Sequence, residues 1–383
     1  MKVEYKILVL GDIYDNHIIR YLYNLKHENS KAEIDVYAYR QGGDIDSRLT
    51  GVVNQIYWHI PTKNIIRYYN SYALAKRYKS ELCGISKENH YDIVNIHYSP
   101  ILFGLIMSVF HHLGDTILVT PWGSDFDRAG KIGRLLLKPV FKQADYICSA
   151  GNRFAKDLIK YYHIPDSKLI CLDIGSETID YISENKASLS EEQARKELGL
   201  VGDYFITCGY NAHKEQQHLS IIDSIAEIRD NLPENLTLLF PVTYPNDVEY
   251  VNEIKRKTAE KSLNAVFYEE YLDIKTLFLL RQSTDMFIHV QSTDANSASV
   301  QEYLLLGKNV VHGSWLRYDE LEKFGIPYYI VDNLHSLSQN ILNAYKNGPI
   351  NIAKETTQYI ESYGWKKWIK RWNRFFCQCI SDN

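Results

Sequence analysis

The chain lacks any long apolar run. Its longest, Pro100 to Phe110, falls short of the ~20 residues that a bilayer-spanning helix needs, so no membrane span is expected. Met1-Lys-Val-Glu-Tyr-Lys leads straight into a strand pattern rather than a leader, and no signal peptide is expected. Six cysteines in 383 residues (Cys83, Cys148, Cys171, Cys208, Cys377 and Cys379) are too dispersed for a disulfide scaffold or a zinc site. A reducing cytoplasm is the expected setting. Cys377-Gln-Cys379 has a one-residue gap that does not suit a redox pair. Positive charge is not in excess either: the net charge is −4 and evenly spread, which argues against a nucleic-acid partner. No Gly-x-Gly-x-x-Gly follows any strand-like run, which disfavours a Rossmann dehydrogenase.

What is present suits a two-domain α/β protein. A chain of 383 residues exceeds one ordinary core. Short β-rich apolar runs alternate with helical patterns in both halves, the grammar of parallel sheets wrapped by helices. Strands are expected at Lys6–Leu10, Ile34–Tyr39, Gln55–His59, Ile93–His97, Ile117–Pro121, Tyr146–Ser149 and Leu169–Leu172. The second half adds Tyr204–Cys208, Thr237–Phe240, Ala265–Tyr268, Met286–Val290, Asn309–His312 and Tyr328–Val331. Amphipathic helices are expected between them, such as Asn16–Lys26 and Asn64–Leu82, with a polar connector over Ser183–Leu200 and a tail helix from Ala353 to about Ile380. Two such Rossmann-like halves would face each other across a cleft, with ligands at the carboxyl ends of the strands.

The most telling segment is Asp294-Ala-Asn-Ser-Ala-Ser-Val-Gln-Glu302-Tyr-Leu-Leu-Leu-Gly307-Lys-Asn-Val-Val311. An apolar strand leads into a polar loop, a helix opens near Ser297, and Gly307 ends it where left-handed geometry is cheap. The amides around Ala298, Ser299 and Val300 would then point from a helix N-terminus and suit a phosphate.

This segment resembles the donor-site signature of retaining GT-B glycosyltransferases, especially family 4: two acids separated by seven residues, a small apolar run, then Gly-x-Pro-Val-Val. Here Asp294 takes the first acidic position, Glu302 the second, and Asn309 replaces the proline. A second resemblance, to the 4-acetamido-4,6-dideoxygalactose transferases of enterobacterial common antigen synthesis, rests on Gly209-Tyr-Asn211-Ala-His213-Lys214 with His218, which stand where family 4 has Gly-Arg…Lys-Gly. It extends through Pro241 to Pro245, Tyr250-Val-Asn-Glu-Ile, Leu280-Arg281-Gln282, the N-terminal Gly11-Asp12…His17…Arg20, and Trp122-Gly-Ser124-Asp125. The resemblance implies a GT-B fold with a C-terminal helix crossing back to the first domain. It divides the chain into an acceptor domain over 1–182, a connector over 183–202, a nucleotide-sugar domain over 203–350 and a crossing helix over 351–383.

On this reading the donor is held by Gly11, Gly209, Asn211, Lys214, His218, Ser297, Ala298, Ser299 and Glu302, with Glu302 accepting ribose hydroxyls and Lys214 facing the departing diphosphate. Asp12, His17, Trp122 and Ser124 fall on the acceptor side, and Asp294, Asp125 and His97 are the catalytic candidates. Six of these have a plainer alternative: Gly11 as a tight turn, His17 as a residue that merely decorates its helix, Lys214 as a solvated loop lysine, His218 as a structural histidine, Asp125 as a turn cap, and Glu302 as a solvated helix carboxylate. No general base is singled out, and neither a metal nor a cofactor is expected beyond the nucleotide sugar. The implied reaction is retaining sugar transfer to a lipid-linked or oligosaccharide acceptor in bacterial cell-surface polysaccharide synthesis. The alternatives are a nucleotide-sugar epimerase and a catalytically silent partner of an active transferase. Lys131-Ile-Gly-Arg134-Leu-Leu-Leu-Lys138-Pro-Val-Phe-Lys142 could seat a cytoplasmic protein on the inner membrane face. Trp365, Trp368 and Trp372 form either a second such face or the packed face of the tail.

Overall fold

The computed structural model describes residues 4–60, 67–122, 124–127, 129–148, 152–294 and 297–381. They fold as two compact units, one of residues 1–175 with 365–383 and one of residues 176–364. Within the first run β1 (Tyr5–Gly11), α1 (Asn16–Glu28), β2 (Ala32–Ala38), β3 (Gln55–Trp58), α2 (Arg67–Glu88), β4 (Tyr91–His97), α3 (Met107–Leu113), β5 (Gly114–Thr120), α4 (Ser124–Asp127), α5 (Gly130–Gln143), β6 (Tyr146–Cys148), α6 (Asn152–Tyr162) and β7 (Leu169–Ile170). The second contains α7 (Glu177–Asn185), α8 (Glu191–Glu197), β8 (Tyr204–Cys208), α9 (His218–Glu227), β9 (Leu236–Pro241), α10 (Val248–Glu260), β10 (Asn264–Tyr268), α11 (Ile274–Ser283), β11 (Met286–His289), α12 (Ala298–Leu305), β12 (Asn309–Gly313), α13 (Asp319–Glu322), β13 (Tyr329–Val331), α14 (Leu337–Asn347) and α15 (Lys354–Glu361). The last helix, α16 (Trp365–Ser381), belongs to the first unit.

Both sheets are parallel throughout. Their orders are β3-β2-β1-β4-β5-β6-β7 and β10-β9-β8-β11-β12-β13. Every expected strand is present within three residues at each end; Ser149 and the start of the Asn64–Leu82 helix lie outside the described residues. The central strands are buried on both faces, as in β1 and β4, because helices cover both sides of a parallel sheet. Helix starts follow local chemistry: Asp15 caps α1 by accepting from the His17 amide, and Ser190 and Gln193 close a reciprocal capping box on α8. The stretch 183–202 thus contributes helix to the second unit.

The tail differs from the single helix expected. It breaks between Glu361 and Trp365. A side chain at Gly364 would sit 2.1 Å from Asp180 Oδ1, and the Ser176 amide donates to Tyr363 O at 2.8 Å, so the chain leaves helical geometry where α7 approaches it. Beyond the break, Trp365, Trp368 and Trp372 are 1%, 4% and 0% exposed and pack into the core that includes α1. The tryptophan stripe is therefore the packed face of α16.

Candidate functional site

In the second sheet β8, β9 and β10 step outward one way while β11, β12 and β13 step the other, so the winding reverses between β8 and β11. Loops leaving the carboxyl ends of such neighbouring strands diverge and leave room for a ligand. The described residues of these loops are 209–217, 290–294 and 297.

Gly209 begins the first loop with φ +66°, and a Cβ there would lie 2.8 Å from Gln216 Oε1 and 3.0 Å from His218 Nε2. Both of those buried atoms lack a hydrogen-bond partner. His218 is fully buried at the first position of α9, its Nδ1 3.3 Å from the Tyr250 hydroxyl, and burial pushes its pKa down to about 4. In the tautomer where Nδ1 accepts from Tyr250, Nε2 carries a hydrogen free to donate beside Gly209. Asn211 Oδ1 accepts from the His213 amide at 3.0 Å, a side-chain turn that shapes the loop. Lys214 is exposed, with its Nζ 5.5 Å from the centre of the Tyr250 ring. Tyr250 on α10 thus touches both of the groups that could face an anion, and sequence reasoning assigned it no role. The Gln216 amide donates to Gln291 Oε1 at 2.7 Å, tying the two loops together.

In the second loop, Asp294 accepts a short hydrogen bond from the Tyr318 hydroxyl, which itself accepts from the Ser297 amide at 3.0 Å. His289 Nε2 lies 3.4 Å from Asp294 Oδ2, and His289 Nδ1 lies 3.1 Å from His312 Nδ1. Burial holds His289 well below its ordinary pKa, and His312 is pushed down to about 4. Ser297 stands at the N-cap of α12 without a side-chain cap, Ala298 is exposed, and the first-turn amides start there. Ser299 Oγ accepts from Arg281 Nη2 at 3.2 Å.

Glu302, expected to accept ribose hydroxyls, is a buried residue with one oxygen engaged by an arginine. It is 4% exposed, and its Oε2 accepts from Arg281 Nε at 3.1 Å. Arg281, 3% exposed, also donates to the Tyr303 hydroxyl at 3.0 Å. The guanidinium thus joins Glu302, Tyr303 and Ser299 under the start of α12. Leu280-Arg281-Gln282 was visible in the sequence, but a pairing across 21 positions was not.

In the first sheet the winding reverses between β1 and β4. Gly11 ends β1, where Ile18 Cδ1 would sit 3.0 Å from a Cβ, so packing is sufficient reason for the glycine. Asp12 pairs with Arg40 at 2.7 Å and accepts from the Tyr14 amide. The Trp122 ring lies edge-on to both His17 and Tyr98, at 5.5 and 5.7 Å. Asp125 is 6% exposed; its Oδ1 accepts from the Trp122 amide at 3.1 Å while Oδ2 has no partner, and burial raises its pKa to about 6. The Ser124 side chain lies outside the described residues. His97 is fully buried: its ring lies 4.7 Å from Tyr21 and 6.4 Å from Trp372, and burial pushes its pKa down to about 3. Among the described residues no three His, Cys, Asp or Glu side chains gather as a metal site.

The buried histidines set the acid response. Unfolded, each binds a proton near pH 6.5; folded, His97, His218 and His312 do so only near 3 to 4, and His289 is also held well below. The unfolded chain therefore binds more protons in that window, and stability is lost as pH falls from 6.5 towards 4, by about 3 kcal/mol for each of His97, His218 and His312. Asp125 and Asp173, both raised to about 6, and Asp285, also raised by burial, act oppositely, but three acids do not offset four histidines. The thermal midpoint is expected to drop steadily from pH 6.5 to 4; a midpoint that stays level or rises would show that these rings are not held neutral.

No family profile matches the sequence, and no curated protein matches it. Solved structures do. Sucrose-phosphate synthase from Thermosynechococcus elongatus superposes with a TM-score of 0.73 at 12% identity, covering 99% of this chain and 100% of the other. The lipopolysaccharide outer core galactosyltransferase WaaB in its apo form gives 0.67 at 12% identity, covering 96% and 98%. HepE of Anabaena in complex with UDP and glucose gives 0.64 at 14% identity, covering 99% and 100%. At these identities the likeness establishes the fold, which is GT-B with two Rossmann-like units.

Proposed function

We propose that this chain is a glycosyltransferase that moves a sugar from a nucleoside-diphosphate sugar to a lipid-linked or oligosaccharide acceptor in bacterial cell-surface polysaccharide assembly, with retention. The observation that carries the reading is the switch point of the second sheet, where Gly209 leaves no room for a side chain beside the unpartnered His218 Nε2 and Gln216 Oε1. A diphosphate there would meet His218 Nε2–H, the Lys214 ammonium and the first-turn amides of α12, which together oppose its charge without a metal. Asp294, held by Tyr318, is the group for the donor sugar. UDP is the first nucleotide to try, since a structural neighbour is described in complex with UDP and glucose.

The first unit would supply the acceptor side through Asp12, His17, Trp122 and Asp125. The unpartnered oxygen and raised pKa of Asp125 suit proton exchange near neutral pH. The buried ring of His97 is left out of this set. The proposed cytoplasmic membrane contact is α5, where Ile132 and Leu135 are 77% and 67% exposed beside Lys131, Arg134 and Lys138. No helix among the described residues is long and apolar enough to cross a membrane. The Ile132→Asp variant should lose flotation with phosphatidylglycerol vesicles that the parent protein shows; equal flotation would remove this contact.

The reaction is tested by incubating the protein with UDP-, GDP- and dTDP-sugars, with and without vesicles bearing extracted lipid-linked glycans. Transfer that requires the glycan supports the proposal. Conversion of the donor without an acceptor would favour the epimerase, and no turnover or binding would favour a silent partner.

A further inference from the structure

We propose that Trp315 is the platform on which the sugar ring of the donor rests, an inference that depends on the nucleotide-sugar reading above. Trp315 lies in the turn Ser314–Leu316 directly after β12, at the carboxyl edge of the second sheet, and remains 39% exposed. It is nevertheless fixed. Its Nε1 donates to Gln291 O at 2.7 Å, and its ring covers Gly313 so closely that a Cβ there would lie 2.6 Å from Cζ2 and 2.7 Å from Cε2.

The bond to Gln291 ties the indole to the switch point, and Gly313 fixes it at the end of the neighbouring β12. Gln291 follows β11, and its side chain accepts from Gln216 and from the Tyr210 hydroxyl at 3.2 Å, so the backbone oxygen that anchors Trp315 belongs to the residue joining the two site loops. Three residues past Trp315, Tyr318 holds Asp294. One short segment after β12 therefore grips the loop before α12 at two points, Gln291 through Trp315 and Asp294 through Tyr318, and the same segment presents the exposed indole.

The chemistry of a hexose fits this pairing. One face of a pyranose is a patch of C–H groups, which suits the electron-rich face of an indole, while its hydroxyls need polar partners such as Asp294. The indole N–H is already satisfied, so its exposed surface offers apolar contact rather than hydrogen bonding. A ring held at its edge and over a glycine loses little freedom when a ligand arrives.

The test measures binding of UDP-glucose, GDP-mannose and dTDP-glucose, and then compares the tightest with its free nucleoside diphosphate across variants by calorimetry. Trp315→Leu keeps apolar bulk but removes the aromatic face; Trp315→Phe keeps a face but loses the Nε1 bond. Expected is about a tenfold loss of nucleotide-sugar affinity in Trp315→Leu, a smaller loss in Trp315→Phe, and little change for the free diphosphate in either. Equal sugar-nucleotide affinity in Trp315→Leu and the parent would overturn the platform. An equal loss for the free diphosphate would also overturn it, by assigning the ring to the nucleotide. If the folded parent binds none of the probes, the nucleotide-sugar reading itself fails, an outcome distinct from the other two.

Discussion

Replacing Arg281 with methionine is expected to destabilise the protein by about 3–5 kcal/mol, the cost of leaving a buried charge without its partner. The side chains of Arg281 and Glu302 are only 4% and 5% exposed, so water cannot take over when the guanidinium goes. Ser299 and Tyr303 would lose a bonding partner in the same step. The pair need not contribute net stability, because both charges are desolvated to form it. The double variant Arg281→Met/Glu302→Gln should therefore recover much of the loss, a result read from urea denaturation of the parent, the two single variants and the double variant. If Arg281→Met alone unfolds at the parent midpoint, the buried pair is not as the structure has it. In the structure Glu302 holds Arg281, which in turn donates to Ser299 in the first turn of α12.

Gly209→Ala should combine two penalties. At φ +66° an L side chain costs about 1–2 kcal/mol, and the new Cβ would press on Gln216 Oε1 and His218 Nε2, both within 3.0 Å. His218 is fully buried at the first position of α9 and has little space to retreat. Nucleotide binding should fall by tenfold or more, beyond what the stability change explains. Gly307→Ala provides the control. Its φ of +70° gives similar strain, but nothing lies within 4 Å of the added Cβ, so it should lose stability and leave nucleotide affinity unchanged. If the two variants bind nucleotide equally well, the space beside Gly209 is not a ligand site.

Much of this architecture can be read in the sequence, because a parallel strand buried on both faces is a short apolar run, and its length and the helical patterns that alternate with it separate it from a buried helix. The α12 segment was legible for the same local reasons: β11 precedes it and Gly307 ends it at positive φ. What stayed hidden was pairing at long range. Nothing local to Glu302 indicates Arg281, and nothing local to Asp294 indicates Tyr318, 24 positions on. His97 shows the converse limit. Its place at a strand's carboxyl end fits a site, but Trp372 of the last helix, 275 positions away by number, packs over it. The tail break had a local sign in Gly364, yet its cause is Asp180 on another helix.

The carboxyl edge of the second sheet is expected to bind a nucleoside diphosphate. Calorimetric titration of UDP, GDP, dTDP and their sugars into the parent protein and Gly209→Ala tests it most directly. One-to-one binding of one nucleotide series, sharply weakened by the substitution, is expected. No binding of any nucleotide to a parent protein shown to be folded would contradict it.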